Sequence, residues 1–144
     1  MISRGNLTSL AALVVCAVVS ASCGPTERAR DNRLWSDSFA FRVTVDPSPP
    51  HEIDDATYKI VVQDKKTNEP IEAGEGRIFA TNKEDARINT DDGLSKGKEV
   101  GTYYGRLRFQ VTGEWAVAIQ FRRNPSSSLE RVDWIQTVTS SSKQ

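Results

Sequence analysis

A two-residue rhythm of apolar and polar side chains restricts this sequence more than any other feature. Phe39, Phe41, Val43 and Val45 alternate with Ala40, Arg42 and Thr44, and Tyr58, Ile60 and Val62 with Lys59, Val61 and Gln63. Leu107, Phe109 and Val111 share one parity, which Trp115, Val117, Ile119 and Phe121 continue, and Val132, Trp134, Gln136 and Val138 close the pattern. Successive side chains of a strand point to opposite faces, so each of these segments predicts a strand with one greasy face. Helical spacing is sustained nowhere between them. Such strands must bury that face against a second layer, and the expected fold is all-β: an immunoglobulin-like antiparallel β-sandwich of about six or seven strands, with a closed barrel as the alternative.

The punctuation fits this reading. Pro47-Ser48-Pro49-Pro50 stops the first strand, and the polar stretch Asp64 to Pro70 turns the chain after the second. A third strand is expected over Ile71 to Thr81, with Gly74 and Gly76 suggesting a bulge. Asn82 to Val100 is charged, holds the turn dipeptide Asp92-Gly93, and reads as a long surface loop in which only Ala86 and Ile88 hint at a short strand. Thr112-Gly113-Glu114 then suggests a hairpin. Residues opposite each other in an antiparallel pair share a face, so parity demands a three-residue loop pairing Val111 with Trp115, Phe109 with Val117 and Leu107 with Ile119, Gly113 or a neighbour taking the left-handed position. Asn124 to Leu129 is a further turn, and 140–144 a frayed tail.

The N-terminus carries different information. Arg4 is followed by an apolar run from Leu10 to Val19 and then by Ser20-Ala21-Ser22-Cys23. A cation, a short hydrophobic segment and a small-residue exit describe a secretory signal, too short to span a bilayer. The small residues before Cys23 resemble the bacterial lipobox, with Ser20 where an aliphatic residue is usual. Residues 1–22 are therefore expected to be cleaved and Cys23 lipidated, which would place the protein in the bacterial cell envelope, facing the periplasm or exterior, and on the outer membrane if the host has two. The alternative is cleavage to a soluble secreted form with a free thiol. Residues 23–37 read as a polar tether and 38–139 as the folded domain.

Charge narrows the partners. Nineteen Lys and Arg balance nineteen Asp and Glu, and loss of Arg4 with the signal leaves a mature charge of −1. That argues against nucleic acid, which demands a basic excess. The mature chain would keep one sulfur, that of Cys23, so stability has to come from a hydrophobic core without a disulfide. Metal ligands are scarce: His51, with Asp54 and Asp55 close behind, is the weak candidate, and no cofactor is expected. Nucleophilic catalysis would also have to use His51, and no Ser sits in a Gly-x-Ser-x-Gly elbow, so the protein is expected to be non-catalytic. Gly93-Leu-Ser-Lys-Gly97-Lys98-Glu99 lacks the spacing and the following helix of a phosphate loop. Arg106, Arg108 and Arg122, with Arg123 and Arg131, are the candidate partner-binding face, suited to an anionic headgroup, a glycan acid or an acidic protein; their plainer role is to solubilise an exposed sheet.

Gly101-x-Tyr103, then Leu107, Phe109 and Gly113-x-Trp115-x-Val117-x-Ile119, resembles the C-terminal half of YtkA-like and FixH-like domains, and Tyr58 to Asp64 with Pro70-Ile71 is similar to that family's first core strand and turn. The resemblance covers about residues 38–138. It implies an immunoglobulin-like sandwich outside the cytoplasm, in some members tied to copper handling or oxidase assembly. Relatives often carry Met before the Gly-x-Tyr element, whereas this chain reads Leu94 to Val100 without one, so no metal residue carries over. The expectation is a lipid-anchored envelope protein binding a protein or glycan partner, with an extracytoplasmic copper or oxidase-assembly accessory as the alternative.

Overall fold

The computed structural model describes residues 31–141. The apolar leader, Cys23, most of the expected tether and residues 142–144 lie outside the described residues. Among the described residues nine strands form two sheets: β1 (Asn32–Trp35), β2 (Phe39–Asp46), β3 (Asp55–Asp64), β4 (Glu75–Asn82), β5 (Asn89–Gly93), β6 (Ser95–Lys96), β7 (Thr102–Arg108), β8 (Gly113–Arg122) and β9 (Glu130–Val138). One sheet has the order β1-β2-β3-β7-β6 and the other β5-β4-β8-β9, with all pairs antiparallel. With β2 lettered A and β9 lettered G, and β1 set aside, these orders read A-B-E-D and C′-C-F-G, the Greek-key arrangement of an immunoglobulin-like sandwich.

The alternation explains the layers. Phe41, Val43, Tyr58, Ile60, Val62, Tyr103 and Leu107 project inward from the five-stranded sheet, and Ile78, Trp115, Val117, Ile119 and Phe121 meet them from the other; all are buried. At one end of this core, Phe121 lies edge-on to rings of the opposite sheet, 5.1 Å from Phe39, 6.0 Å from Phe41 and 5.1 Å from Tyr103. The Tyr103 hydroxyl donates to the Ile71 carbonyl at 2.6 Å and accepts from the Gly74 N–H at 3.0 Å, tying the β3–β4 connection to β7.

Four expectations are corrected. The hairpin through Thr112-Gly113-Glu114 does not form, because β7 pairs with β3 and β6 whereas β8 pairs with β4 and β9. Leu107 and Phe109 share a parity with Trp115 and Val117 because their strands face each other across the core, an arrangement that meets the same face rule without cross-strand pairing. The connection is a corner. Gly113 does take a positive φ, of 114°, and the Trp115 indole N–H donates to the Val111 carbonyl at 3.1 Å, as the tyrosine hydroxyl does at the corresponding corner of immunoglobulin domains.

The second correction concerns Asn82 to Val100, which contains β5 and β6 rather than one long loop, with Asp92-Gly93 inside β5. Ile88 and Leu94 pack on the core, and the Asp92 side chain accepts the Arg106 N–H at 2.8 Å, so β5 is held from both sheets. Third, the end of the expected tether is strand β1: Leu34 packs on the core and Trp35 points outward, 60% exposed. Fourth, the β4–β8 register is continuous from Glu75↔Arg122 to Asn82↔Trp115, so Gly76 marks no bulge. It marks a close approach of the two backbones instead.

Candidate functional site

The strand directions give the sandwich two unlike ends. At one, β1 begins opposite Val43, β9 finishes, and the β2–β3 loop binds the chain after β9 through Thr139 N–H to Pro50 O at 3.0 Å and Glu52 N–H to Thr139 O at 2.9 Å. At the other end lie the β1–β2 turn, the β3–β4 loop and the β8–β9 loop. These enclose a polar cleft of about 430 Å³ lined by Asp37, Ser38, Asp64, Lys66, Arg123 and Glu130 among others.

Three of the charges in that cleft, Asp64, Arg123 and Glu130, have a local reason to be where they are. Asp64 ends β3 and caps the following turn, accepting the N–H groups of Lys66 at 2.8 Å and Thr67 at 2.9 Å. Its other oxygen receives Arg123 Nη2 at 2.8 Å. The Thr67 and Lys66 amides, with Arg123 added, hold the Asp64 carboxyl below its ordinary value. Arg123 also stands 5.8 Å from the Phe39 ring centroid, which gives its guanidinium a second support. Glu130 accepts the Ser38 N–H at 2.8 Å; burial pushes its carboxyl up, but hydrogen bonds from Ser36, Ser38 and Asp37 outweigh that and keep it below the usual range. The result is a rim of fixed charges and hydroxyls at the tips of three connections, able to hydrogen-bond a polar partner.

Both depressed carboxylates link folding to protons. A folded pKa below the unfolded one contributes stability above the unfolded value, and that stability is lost as the pH falls through the folded one. The ordinary values are 3.8 for Asp64 and 4.5 for Glu130, so the melting temperature should hold steady down to the upper of these and drop beneath them. The double variant Asp64→Asn, Glu130→Gln should melt lower at neutral pH and decline less steeply in acid. Differential scanning calorimetry across that window checks it, and parallel curves for the two proteins would refute the assignment.

The residues singled out in the sequence are scattered. Arg106 and Arg108 stand on the outer face of the five-stranded sheet, 4.0 and 3.8 Å from the Asp55 carboxylate. Arg122 does not join them. It lies in the other sheet, paired with Glu75 at 2.6 Å, because the grouping of the three depended on the hairpin that does not form. Arg131 stands on the outer face of the four-stranded sheet, 5.2 Å from the Phe79 ring that Arg77 also covers at 4.6 Å. His51 Nδ1 is 3.8 Å from Asp54 Oδ2 at the end away from the cleft, where His51 bridges to Thr139. Among the described residues no three His, Cys, Asp or Glu side chains gather as a metal site would require. Ser126 and Ser127 donate their hydroxyls to Asn124 Oδ1 within the β8–β9 loop, a sandwich length away from His51.

No protein-family model matches the chain, and no curated protein does. Cys23 lies outside the described residues, among which no helix is long and apolar enough to cross a membrane. Asp64, Glu130 and Ser38 were not singled out in the sequence: Asp64 reads there as a turn residue, and its partner Arg123 is 59 positions away.

Proposed function

We propose that this chain is an exported bacterial protein, held to a lipid leaflet through Cys23, that works by binding an envelope partner, protein or glycan, rather than by catalysis. One observation carries the reading: the apolar run Leu10 to Val19 ends in Ser20-Ala21-Ser22-Cys23, and the first strand of a sandwich begins nine residues later. Nine residues reach about 30 Å at full extension, so a lipid on Cys23 keeps the domain close to the leaflet. Buried methylenes at about 0.8 kcal/mol each make several acyl chains an essentially permanent anchor. The chain enters the sandwich at the end of β1 remote from the polar cleft, which leaves the cleft free for the partner.

Labelling with radioactive palmitate in the producing bacterium tests the anchor. Label and membrane association should both vanish in Cys23→Ala, and label retained by that variant would refute lipidation at this residue. Crosslinking in intact cells tests the partner: Arg123→Glu should lose a species that the unaltered protein captures.

A further inference from the structure

The outer face of the five-stranded sheet is built unlike its counterpart. Arg33, Arg42, Lys59, Arg106 and Arg108 project from it on four adjacent strands, each between 43% and 67% exposed. Three carboxylates stand within 4.0 Å of them, in loose ion pairs. Asp31 is 3.8 Å from Arg33 and 3.5 Å from Arg42, Asp55 is at 3.8 and 4.0 Å from its two arginines, and Glu99, on the β6–β7 turn, is 4.0 Å from Lys59. These contacts are too long for full hydrogen bonds, so guanidinium donors remain available. Asp31, Asp46 and Asp55 stand where strands begin or end; Arg42, Lys59 and Arg106 lie inside the face, and Arg108 ends β7 directly opposite Asp55. On the four-stranded sheet the arginines are spent: Arg122 on Glu75 at 2.6 Å, and Arg77 with Arg131 on the Phe79 ring.

Two aromatic side chains share the cationic face. Trp35, 60% exposed, stands on edge strand β1 two positions after Arg33, and Tyr104 lies between Lys59 and Ser95 in the register. Exposed indole among arginines is the composition of a surface that meets lipid headgroups, where the ring sits at the interface and the guanidinium groups meet phosphate. The edge strand that carries Trp35 is also the strand into which the chain from Cys23 runs.

We infer that this face docks on an anionic phospholipid surface, so that the domain lies along the leaflet. The inference deepens the anchoring proposal and rests on it for the nearness of the membrane. Lying this way, the domain leaves the four-stranded sheet outward and the polar cleft at its side, open to a partner.

The test uses the mature chain, residues 23–144, with Cys23→Ser, so that no lipid contributes. It should sediment with phosphatidylcholine vesicles containing phosphatidylglycerol, not with pure phosphatidylcholine, and added salt should release it. Tryptophan emission should shift to shorter wavelength on binding and lose that response in Trp35→Phe, since Trp115 is buried and Trp134 partly so. Reversing three charges, Arg42→Glu with Arg106→Glu and Arg108→Glu, should weaken vesicle binding by about tenfold or more while the circular dichroism spectrum stays that of a β-protein. Equal sedimentation with both vesicle types, or unchanged binding by the folded triple variant, would overturn the inference. So would binding to dextran sulfate without binding to vesicles, which would assign the face to an acidic polymer. Because this protein lacks the thiol, a negative result here leaves the palmitate result standing, and each can fail alone.

Discussion

Replacing Phe121 with alanine should lower the stability of the domain by about 3–5 kcal/mol, the usual cost of deleting a large buried aromatic side chain. The side chain comes from β8 but three of its ring partners, Phe39, Phe41 and Tyr103, come from the opposite sheet, all edge-on within 6.0 Å. Phe39 and Phe41 are held by β2 and Tyr103 by β7, so the walls of the resulting cavity resist closing. Native domains hold only about 5–15 kcal/mol in total, and the variant should therefore unfold at markedly lower urea with its m-value unchanged. Phe79 supplies the control. It lies on the outer face of β4 beneath Arg77 and Arg131, half-buried, and Phe79→Ala should cost about 1 kcal/mol through lost cation–π contact and partial burial. Equal losses at the two positions would mean that the inner and outer faces of the sandwich have been misassigned.

That face assignment is what the sequence displays most directly. Phe39, Tyr58, Leu107, Trp115 and Val132 each announce their burial by alternation, and each is buried. Which strand lies beside which is a different question, answered by hydrogen bonds between segments far apart. Leu107 and Trp115 obey the same parity whether their strands pair in a hairpin or face each other across a core, so β7 and β8 read as neighbours when they belong to different sheets. Strand β5 was hidden for another reason. Asn89-Thr90-Asp91-Asp92-Gly93 has no apolar face to reveal, and owes its extended form to the ladder with Arg77–Thr81 and to Asp92 holding the Arg106 amide. Strand β1 offers a single apolar contact, Leu34. The candidate site was legible only in fragments: the shared face of Arg106 and Arg108 follows from their spacing of two, but Arg123 with Asp64 and Ser38 with Glu130 are joined by the fold alone, 59 and 92 positions apart.

Gly76→Ala should destabilise the domain by about 2–3 kcal/mol, as overpacking does where nothing nearby can give way. The backbone at Gly76 has no positive φ, so alanine can adopt its conformation; space is what forbids it. A methyl there would run into the backbone carbonyl oxygen of Gln120 and stand 3.1 Å from both Cα and Cδ2 of Phe121. The first obstacle is main chain near the start of the β4–β8 ladder, where Arg77 pairs with Gln120 and Gly76 with Phe121. Relief requires the strands to separate. Gly93→Ala is the matched control: it has nothing within 4 Å and no positive φ, and by restricting the unfolded chain it should be neutral or gain about 0.4–1 kcal/mol. Chemical denaturation of the two variants in parallel checks the difference, and a Gly76→Ala protein as stable as the original would disprove the close approach. The consequence reaches the candidate site through the neighbouring residue, since Glu75 pairs with Arg122 beside Arg123, one of the two cations lining the loop-end cleft. Pushing β4 away from β8 should therefore break the Glu75–Arg122 pair and, if the proposed partner binds at the cleft, weaken its capture before the domain as a whole unfolds, a loss that crosslinking in cells would register at temperatures below the melt.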